Sequence, residues 1–518
     1  KCLMLQPIQT ANRFRVKSVS LPAPIGGLNS RDSLDAMPQT DAIVMTNWFP
    51  TVEKVTIREG FSSFCTGIGS GNVETLVEHN AGANRQLLAV GSNGVLYQIN
   101  TGSAVSRKTG LSSGRFQTVE FNGLTIFVNG EDTPFSWDGS SASNLSITLS
   151  DSASAATLKG VTAFKNRLYY WTGVDQNFYY SATVSTHQGN FTKFPTGLVG
   201  TFGGNLIQIG TLTVDGGEGV DDLLTLMMSS GEVLVYSGTD PSASSFALVG
   251  TFRIAEPINE IRAMAKLGGD LIVATKEGYL PLSQVFRQDL VGNKAAAISE
   301  KIRGTVIRQV ALTGSTVGWQ IHVSSDGSKV YFNYPTGDGT DTFNQHVFNP
   351  ITRAWAIFQN IPAHVFANFN GDTYFGTTDG KVYKVGGTAD LTAAITADLS
   401  FAYNYFGDRG SLKRFSSVAP MLEAPGDINF DFGVAVDQAA PSGLNLASGA
   451  FTSDLATWDL AEWDQDFWGD TTGAGIIQKR KVVGRLGRSA SLRIKVESAS
   501  QTISILSSNF QFIPGGPV

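Results

Sequence analysis

The chain has 518 residues, of which 42% are hydrophobic and 16% are charged, and its formal net charge is −6. This composition can fill the cores of two or three domains and excludes a largely disordered chain. The net negative charge argues against tight binding of nucleic acid through phosphate neutralisation, but DNA that slides past remains compatible with it. Two cysteines, Cys2 and Cys65, exclude a disulfide-rich scaffold and leave a single bridge between them open.

The composition also indicates a fold built mostly of strands. The chain contains 57 glycines, and 10% of its residues are aromatic, which favours strands and turns over helices. No run of 18 apolar residues is present, so we expect neither a transmembrane helix nor stable membrane insertion. The opening Lys1–Leu5 is too short for the apolar core of a secretory signal, and the missing initiator Met suggests that upstream residues are absent.

Residues 1–60 are predicted to form an extended arm, because prolines and a glycine pair interrupt them repeatedly. Within the arm, Ser33–Met37 is predicted to form one helical turn, and Thr40–Pro50 is predicted to form another. Arg31 and Asp32, with Asp35, either pin the arm to a neighbouring subunit by charge-assisted hydrogen bonds or lie in a solvated turn of the same chain.

Seven hairpins are predicted between residues 61 and 388. Asp372–Lys384 shows the pattern, because a short apolar run, an Asp379-Gly380 turn and an alternating run follow each other. Related patterns recur 36 to 58 residues apart, and their turn glycines are Gly94, Gly130, Gly173, Gly231, Gly278, Gly327 and Gly380.

This repeat distance predicts the architecture of the middle of the chain. A period near 40 to 50 residues with about four short strands per repeat is typical of a β-propeller. We therefore predict an all-β fold with a propeller of about six to seven blades at residues 61–388. Unrelated hairpins in a long β-sandwich or solenoid are the alternative.

After Gly386-Gly387 the pattern changes to longer alternating runs, for example Leu391–Tyr403 and Asp427–Val436. Such runs are typical of an open antiparallel sheet or sandwich. We therefore predict a boundary near residue 388. Residues 389–518 form a β-sandwich-like C-terminal domain, and the arm joins it to make a β-rich platform from the chain ends.

Three tryptophans in the C-terminal domain, Trp458, Trp463 and Trp468, are spaced by five residues. This spacing is neither that of a helix face nor that of one strand face, so the rings are predicted to anchor an irregular loop or successive turns. A platform that stacks on a sugar or on a partner is the alternative.

Charge is segregated in the same region. Residues 454–470 contain six acidic side chains and no Lys or Arg, whereas residues 479–495 contain seven basic side chains and no acid. The two segments either join neighbouring subunits, giving register and association rate, or pair within one subunit. A DNA-binding strip is a third interpretation, which the lack of interleaved aromatic residues disfavours.

Both ends of the chain resemble one protein family. The stretch Leu21–Pro38 continues through Ala42–Pro50 to Val55–Gly60, and the C-terminus carries the three tryptophans, then Gly484–Ile494 and Phe510–Gly516. These stretches are similar to the ends of the tail nozzle proteins, or tail tubular proteins B, of short-tailed bacteriophages.

The resemblance implies a β-propeller inserted in a platform formed by the chain ends. It also implies six copies in a ring below the head–tail adaptor, DNA leaving through the lumen without sequence-specific binding, and tail fibres or spikes as further partners. The expected location is the virion tail, after assembly in the host cytoplasm. Candidate interface residues for subunits or the adaptor are Arg31, Asp32, Trp48, Trp458, Trp463, Trp468, Arg480, Arg485 and Arg488.

Enzyme chemistry has little support in the sequence. The five histidines lack metal-ligand spacing, and they are predicted to be ordinary surface or strand residues. No phosphate loop, nucleophile elbow or zinc motif is present. We therefore predict no enzymatic activity, no cofactor and no catalytic or metal-binding residue. A propeller that binds or cleaves carbohydrate at the tail tip is the alternative function, since sequence does not show whether carboxylates converge on a central channel.

Overall fold

A computed structural model describes residues 15–82, 84–215, 220–258, 260–285, 297–337, 342–426, 428–439, 446–451 and 475–517. The fold is mostly β, with 53% strand and 5% helix. The chain divides into two compact units. One, called here the platform unit, comprises Lys1–Gly27, Asp32–Ile57 and Thr396–Val518; the other, the propeller unit, comprises Leu28–Arg31 and Arg58–Ile395. The divisions lie close to the predicted boundaries at residues 60 and 388.

The arm is built of short strands: β1 (Lys17–Pro22), β2 (Gly27–Leu28), β3 (Asp41–Thr46), β4 (Trp48–Pro50) and β5 (Val55–Ile57). The predicted turn at Ser33–Met37 is confirmed, because the amides of Ala36 and Met37 donate to the Ser33 carbonyl. The predicted turn at Thr40–Pro50 is wrong, since this segment contains β3 and β4. β3 pairs with residues more than 350 positions away, and β4 pairs with β5, so strand pairing determines the conformation of this segment.

Six small antiparallel-rich sheets of the propeller unit are arranged as blades of a β-propeller. The strands, in chain order, are β6 (Phe61–Thr66), β7 (Val73–Ala81), β8 (Asn84–Gly91), β9 (Val95–Asn100), β10 (Ser103–Lys108), β11 (Gln117–Phe121), β12 (Leu124–Val128), β13 (Phe135–Trp137), β14 (Ala142–Asn144), β15 (Ile147–Leu149), β16 (Gly160–Phe164), β17 (Arg167–Trp171), β18 (Phe178–Ser181), β19 (Gly189–Phe194), β20 (Leu206–Asp215), β21 (Val220–Met228), β22 (Glu232–Ser237), β23 (Ala247–Arg253), β24 (Met264–Leu267), β25 (Asp270–Thr275), β26 (Gly278–Pro281), β27 (Gln320–Val323), β28 (Val330–Pro335), β29 (Phe343–Phe348), β30 (Trp355–Phe358), β31 (Val365–Phe369), β32 (Asp372–Gly376) and β33 (Lys381–Val385).

The six sheets are β7–β10, β11–β14, β15–β19, β20–β23, β24–β26 and β31–β33 with β6. A further set, β27–β30, follows the fifth sheet in the chain, and its first strand contacts both β24 and β31. Successive sheets are in contact through one strand pair at each step: β7 with β11, β11 with β16, β16 with β20, β20 with β25, β24 with β27 and β27 with β31. β31 also contacts β7, so the ring closes. The prediction of a β-propeller with about six to seven blades is confirmed.

Closure uses a strand from the beginning of the unit. β6 pairs antiparallel with β33 and supplies the fourth strand of the last blade. Because the two strands are more than 300 residues apart in sequence, this pairing joins the two ends of the propeller unit. The physical advantage of such a ring of blades is that it leaves only short, protected sheet edges.

All seven predicted hairpins are present, one in each of the six sheets and one in β27–β30. The predicted turn glycines all have positive φ, a conformation that L side chains rarely adopt. At Gly380, with φ +73°, a Cβ would also lie 2.1 Å from the carbonyl oxygen of Gly69. The turn chemistry read from the sequence therefore corresponds to real backbone requirements.

The hydrophobic cores lie between neighbouring blades. One core combines Phe164, Trp171 and Phe178 of the third sheet with Leu224 and Leu234 of the fourth. Another joins the sixth sheet to the first and includes the buried free thiol of Cys65. Cys2, the other half of the bridge left open by the sequence, lies outside the described residues. Packing between neighbouring blades therefore stabilises the ring.

The described part of the propeller unit also contains the helices α1 (Leu282–Val285) and α2 (Arg303–Thr313), and the short 3₁₀ segments Ala155–Thr157, Thr196–Leu198 and Glu300–Ile302. The sequence analysis, which favoured strands and turns over helices, did not identify α2, which has 11 residues. Its buried residues Val306, Val310 and Thr313 follow helical spacing. No helix in the described ranges is long and apolar enough to cross a membrane.

The platform unit contains strands from both ends of the chain. Its later strands are β34 (Ile395–Phe401), β35 (Ser411–Ala424), β36 (Ile428–Val436), β37 (Ala447–Phe451), β38 (Gly475–Gln478), β39 (Lys481–Gly487), β40 (Ala490–Ser498) and β41 (Ser504–Pro517). β1, β5 and β35 pair with β41, and β3 pairs with β34. The predicted β-rich platform built from the chain ends is confirmed, and in chain order the propeller is inserted within it.

Candidate assembly surface

The arm places Arg31 and Asp32 in different compact units. Arg31 is exposed and falls in the propeller unit, where its backbone amide donates to Asn29 Oδ1 and to the Lys301 carbonyl, both at 3.1 Å. Asp32 is half-buried and falls in the platform unit. These backbone bonds fix the start of the arm within its own chain, and contact of either side chain with another subunit stays a prediction.

Asp35 makes its contacts within the platform unit. It accepts a hydrogen bond from the hydroxyl of Tyr405 and pairs with Arg409 at 3.0 Å, while the Arg409 guanidinium lies 4.7 Å from the centre of the Tyr405 ring. The Tyr405 hydrogen bond, aided by Arg409, holds the pKa of the Asp35 carboxyl below its usual value. Of the two interpretations left open by the sequence, the structure shows the intrachain one for Asp35.

Arg488, a predicted interface residue, lies near this cluster. Together they line a concave surface of about 610 Å³, whose remaining residues are Leu412, Asp437, Gln438 and Ser489. The Asp437 carboxylate accepts from the backbone amides of Arg488 and Ser489, at 2.6 and 3.2 Å. Two guanidinium groups and two carboxylates therefore share this surface, and its mixed charge favours a polar protein contact over an anion site.

Trp48 is a core residue. It lies in β4 with no exposed surface, and its indole Nε1 has no hydrogen-bond partner. Its side chain does not reach the surface of the chain, so no exposed area supports its assignment to an interface. The neighbouring Asn47 amide donates to the Thr396 carbonyl at 2.8 Å and holds the arm against the beginning of β34.

Arg480, Arg485 and Arg488 lie in or next to the strands at one edge of a sheet. β38 and β39 both pair with β35, along residues 421–424 and 413–418 of that strand, while β41 pairs with its other side. Only Lys479 and Arg480 separate the two strands. β38 and β39 therefore act as one interrupted edge strand.

This edge exposes large apolar side chains. Ile476 is 63% exposed, Val482 is 81% exposed and Leu486 is 66% exposed. Their alternating neighbours point inward, because Ile477 is buried and the Lys481 ammonium donates to the Phe432 carbonyl at 3.0 Å. Burial accordingly lowers the pKa of Lys481. Period-2 geometry thus turns one apolar row toward solvent.

Arg480, Arg485 and Arg488 are exposed along the same edge. We call the set Ile476, Arg480, Val482, Arg485, Leu486 and Arg488 the basic–apolar edge. The sequence identified its arginines from charge segregation but missed its apolar residues. The alternation of side chains in residues 475–487 indicated a strand with two different faces. Only the structure shows that the face with Ile476, Val482 and Leu486 is exposed. Trp458, Trp463 and Trp468 lie outside the described residues.

Three of the five histidines, His79, His346 and His364, are buried in the propeller unit, and His322 is half-buried there. His346 is fully buried, with Nδ1 2.8 Å from the Tyr279 hydroxyl, and burial lowers its pKa to about 3. Burial likewise lowers the pKa of His322 to about 4 and those of His79 and His364 below their usual values. Among the described residues, no group of three or more His, Cys, Asp or Glu side chains is placed to hold a metal ion.

Comparisons with known proteins give structural similarities of low sequence identity. No protein-family model matches, and no curated protein matches. The chain is similar to BBS1N, solved in complex with ARL6DN, with 9% identity and a TM-score of 0.42 over 65% of this chain and 99% of that one.

Two further similarities are with PorZ, a bacterial surface component of the type-IX secretion system of Porphyromonas gingivalis, and with exo-β-1,3-galactanase from Phanerochaete chrysosporium. The PorZ match has 11% identity and a TM-score of 0.37, over 66% of this chain and 42% of that one. The galactanase match has 9% identity and a TM-score of 0.26, over 75% of this chain and 100% of that one. None of these similarities carries an argument about function.

Proposed function

We propose that this protein is a structural virion protein, one of six copies in the ring-shaped nozzle of a short phage tail, docked to the head–tail adaptor. The observation that supports this proposal is the pairing of β1 and β5 with β41. Strands from the two chain ends form one sheet, and the propeller occupies the chain between them. This is the arrangement that the resemblance to tail nozzle proteins implies.

Parts of the stretches that carry the resemblance lie in that sheet, in β1, β4, β5, β39 and β41. Leu21 of β1 lies opposite Ser508, and Val19 lies opposite Phe510, at the start of the C-terminal stretch. Val55 of β5 lies opposite Ile505 of the same strand. Residues from both terminal motifs therefore lie in one sheet.

The proposed mechanism depends on shape and charge. A ring of rigid subunits gives the genome an open path, and a net charge of −6 per chain repels phosphates, so that duplex DNA passes without being held. The same ring serves as the docking platform for tail fibres or spikes. No sequence-specific DNA contact is needed for this function.

Purified particles test the proposal. Mass spectrometry with isotope-labelled reference peptides should find six copies of the chain per virion, and immunogold labelling should place them at the end of the tail away from the head. Labelling of a capsid protein serves as the positional control. Absence of the chain from particles, or gold on the head alone, would contradict the proposal.

A second assay tests the alternative function, cleavage of carbohydrate. Purified protein is incubated with surface polysaccharide from the host, and reducing ends are measured over time. The nozzle proposal predicts no release above that of boiled protein. Sustained release would favour a glycan-cleaving propeller.

A further inference from the structure

The outer side of the edge strand is open to a partner. Among the strands that the structure describes, β38 and β39 pair only with β35. Their outward backbone groups are therefore a template for an added strand or an extended peptide. The sheet continues behind them, since Leu486 lies opposite Arg414 and Arg414 lies opposite Ile513 of β41.

Protection from aggregation explains only part of the residue composition of this edge. Natural sheet edges are commonly protected by charged residues, and Arg480 and Arg485 fit that role. Val482 and Leu486 do not, because their exposed fractions of 81% and 66% leave large apolar surface in water. Apolar side chains interleaved with arginines are the composition of a binding surface, and they require a partner that is both apolar and acidic.

The chain itself contains a segment of that chemistry. Residues 454–470 carry three tryptophans and six acidic side chains, and they contain no Lys or Arg. The tryptophans match the apolar row, and the carboxylates match the arginines. The apolar row is exposed, so it is available to a partner of this chemistry.

We infer that the basic–apolar edge of one copy binds segment 454–470 of a second copy. This inference rests on the proposed function, because a ring of identical subunits requires a contact between two different surfaces of the same chain. Each subunit offers the edge on one side and the segment on the other. The contact repeats until the ring closes.

Two charge-reversal variants test whether the edge of one copy binds the segment of another copy. The edge variant carries Arg480→Glu and Arg485→Glu, and the segment variant carries Asp459→Lys and Asp464→Lys. Each variant alone places like charges together, so we expect at least a tenfold weaker self-association by analytical ultracentrifugation. An equimolar mixture should recover assembly, because each lysine segment then meets a glutamate edge.

Apolar substitutions test the second half of the surface. Val482→Ser and Leu486→Ser together should weaken assembly about tenfold. Ile351→Ser is the matched control, since Ile351 is 74% exposed in the propeller unit, and it should leave assembly unchanged. Equal thermal unfolding of all variants shows that folding is intact, as expected for exposed positions.

The outcomes separate this inference from the proposed function. A wild-type chain that stays monomeric, or variants that assemble normally, would overturn the inference. If the mixture does not recover assembly but one chain carrying all four substitutions does, the segment covers the edge of its own chain, and the inference is also overturned. Recovery in the mixture by a protein absent from virions would keep the inference and refute the nozzle.

Discussion

Arg58 is predicted to stabilise the closure of the propeller. Its fully buried guanidinium donates to both oxygens of Asp390, from Nη1 to Oδ1 at 2.8 Å and from Nη2 to Oδ2 at 2.6 Å. It also donates to the carbonyls of Glu59 and Gln359, at 2.9 and 3.0 Å. Arg58 precedes β6 and Asp390 follows β33, so these bonds lie beside the strand pair that closes the ring.

Arg58→Leu should lower the free energy of unfolding of the propeller unit by about 3 to 5 kcal/mol, the usual cost of removing one partner from a buried ion pair. The Asp390 side chain is only 10% exposed, so solvent compensates little for the lost charge. Lys384→Met is the matched control. It breaks the pair with Asp372, whose side chains are 39% and 42% exposed, and should cost about 0 to 1 kcal/mol.

The stability of both variants is measured by unfolding in urea, followed by near-ultraviolet circular dichroism. The compared quantity is the urea midpoint of the propeller unit's transition, because a chain with two units need not unfold in one step. Asp390→Asn provides a second variant of the same contact. If Arg58→Leu shifts the midpoint no further than Lys384→Met, the bidentate pair does not stabilise the closure.

Three other predictions concern stability. Gly380→Ala should cost more than Gly371→Ala, because both have positive φ but a Cβ meets the Gly69 carbonyl only at Gly380; equal midpoints in urea would contradict this. Burial lowers the pKa of His322 from 6.5 to about 4, so the unfolded state binds more protons between these values, and about 3 kcal/mol of stability should be lost as pH falls from about 6.5 to about 4. His322→Gln should flatten that loss in acid titrations, and an unchanged slope would refute the assignment. Lys413→Met should cost about 2 to 3 kcal/mol in thermal unfolding, because the buried ammonium donates to backbone carbonyls at 3.0 and 3.1 Å; a neutral effect would show that water replaces it.

The propeller was predictable because its signals are local. A turn that requires positive φ selects glycine, and strands on either side alternate with period two, so Gly327 and Gly380 marked their hairpins without any knowledge of the fold. Regular spacing of the hairpins then indicated the repeat. The sequence did not decide between six and seven blades, because β27–β30 has the same hairpin pattern as the blades. Only the strand pairing of the structure distinguishes β27–β30 from them.

The remaining features depend on contacts that are distant in sequence. Thr40–Pro50 contains strands because β3 pairs with β34 and β4 pairs with β5, and Trp48 of β4 is a core residue. The buried histidines required knowledge of which strand faces lie between blades. At the candidate site, charge segregation located the arginines, whereas the exposure of Val482 and Leu486 follows only from the position of β39 at the edge.

A reconstruction of intact particles by electron cryomicroscopy tests the central claim most directly. At a resolution that separates blades, we predict six copies of the propeller around the path of the DNA at the end of the tail, with segment 454–470 of each copy against β39 of the next. Density for the chain away from that axis, or copies that do not form a ring, would contradict the proposed function.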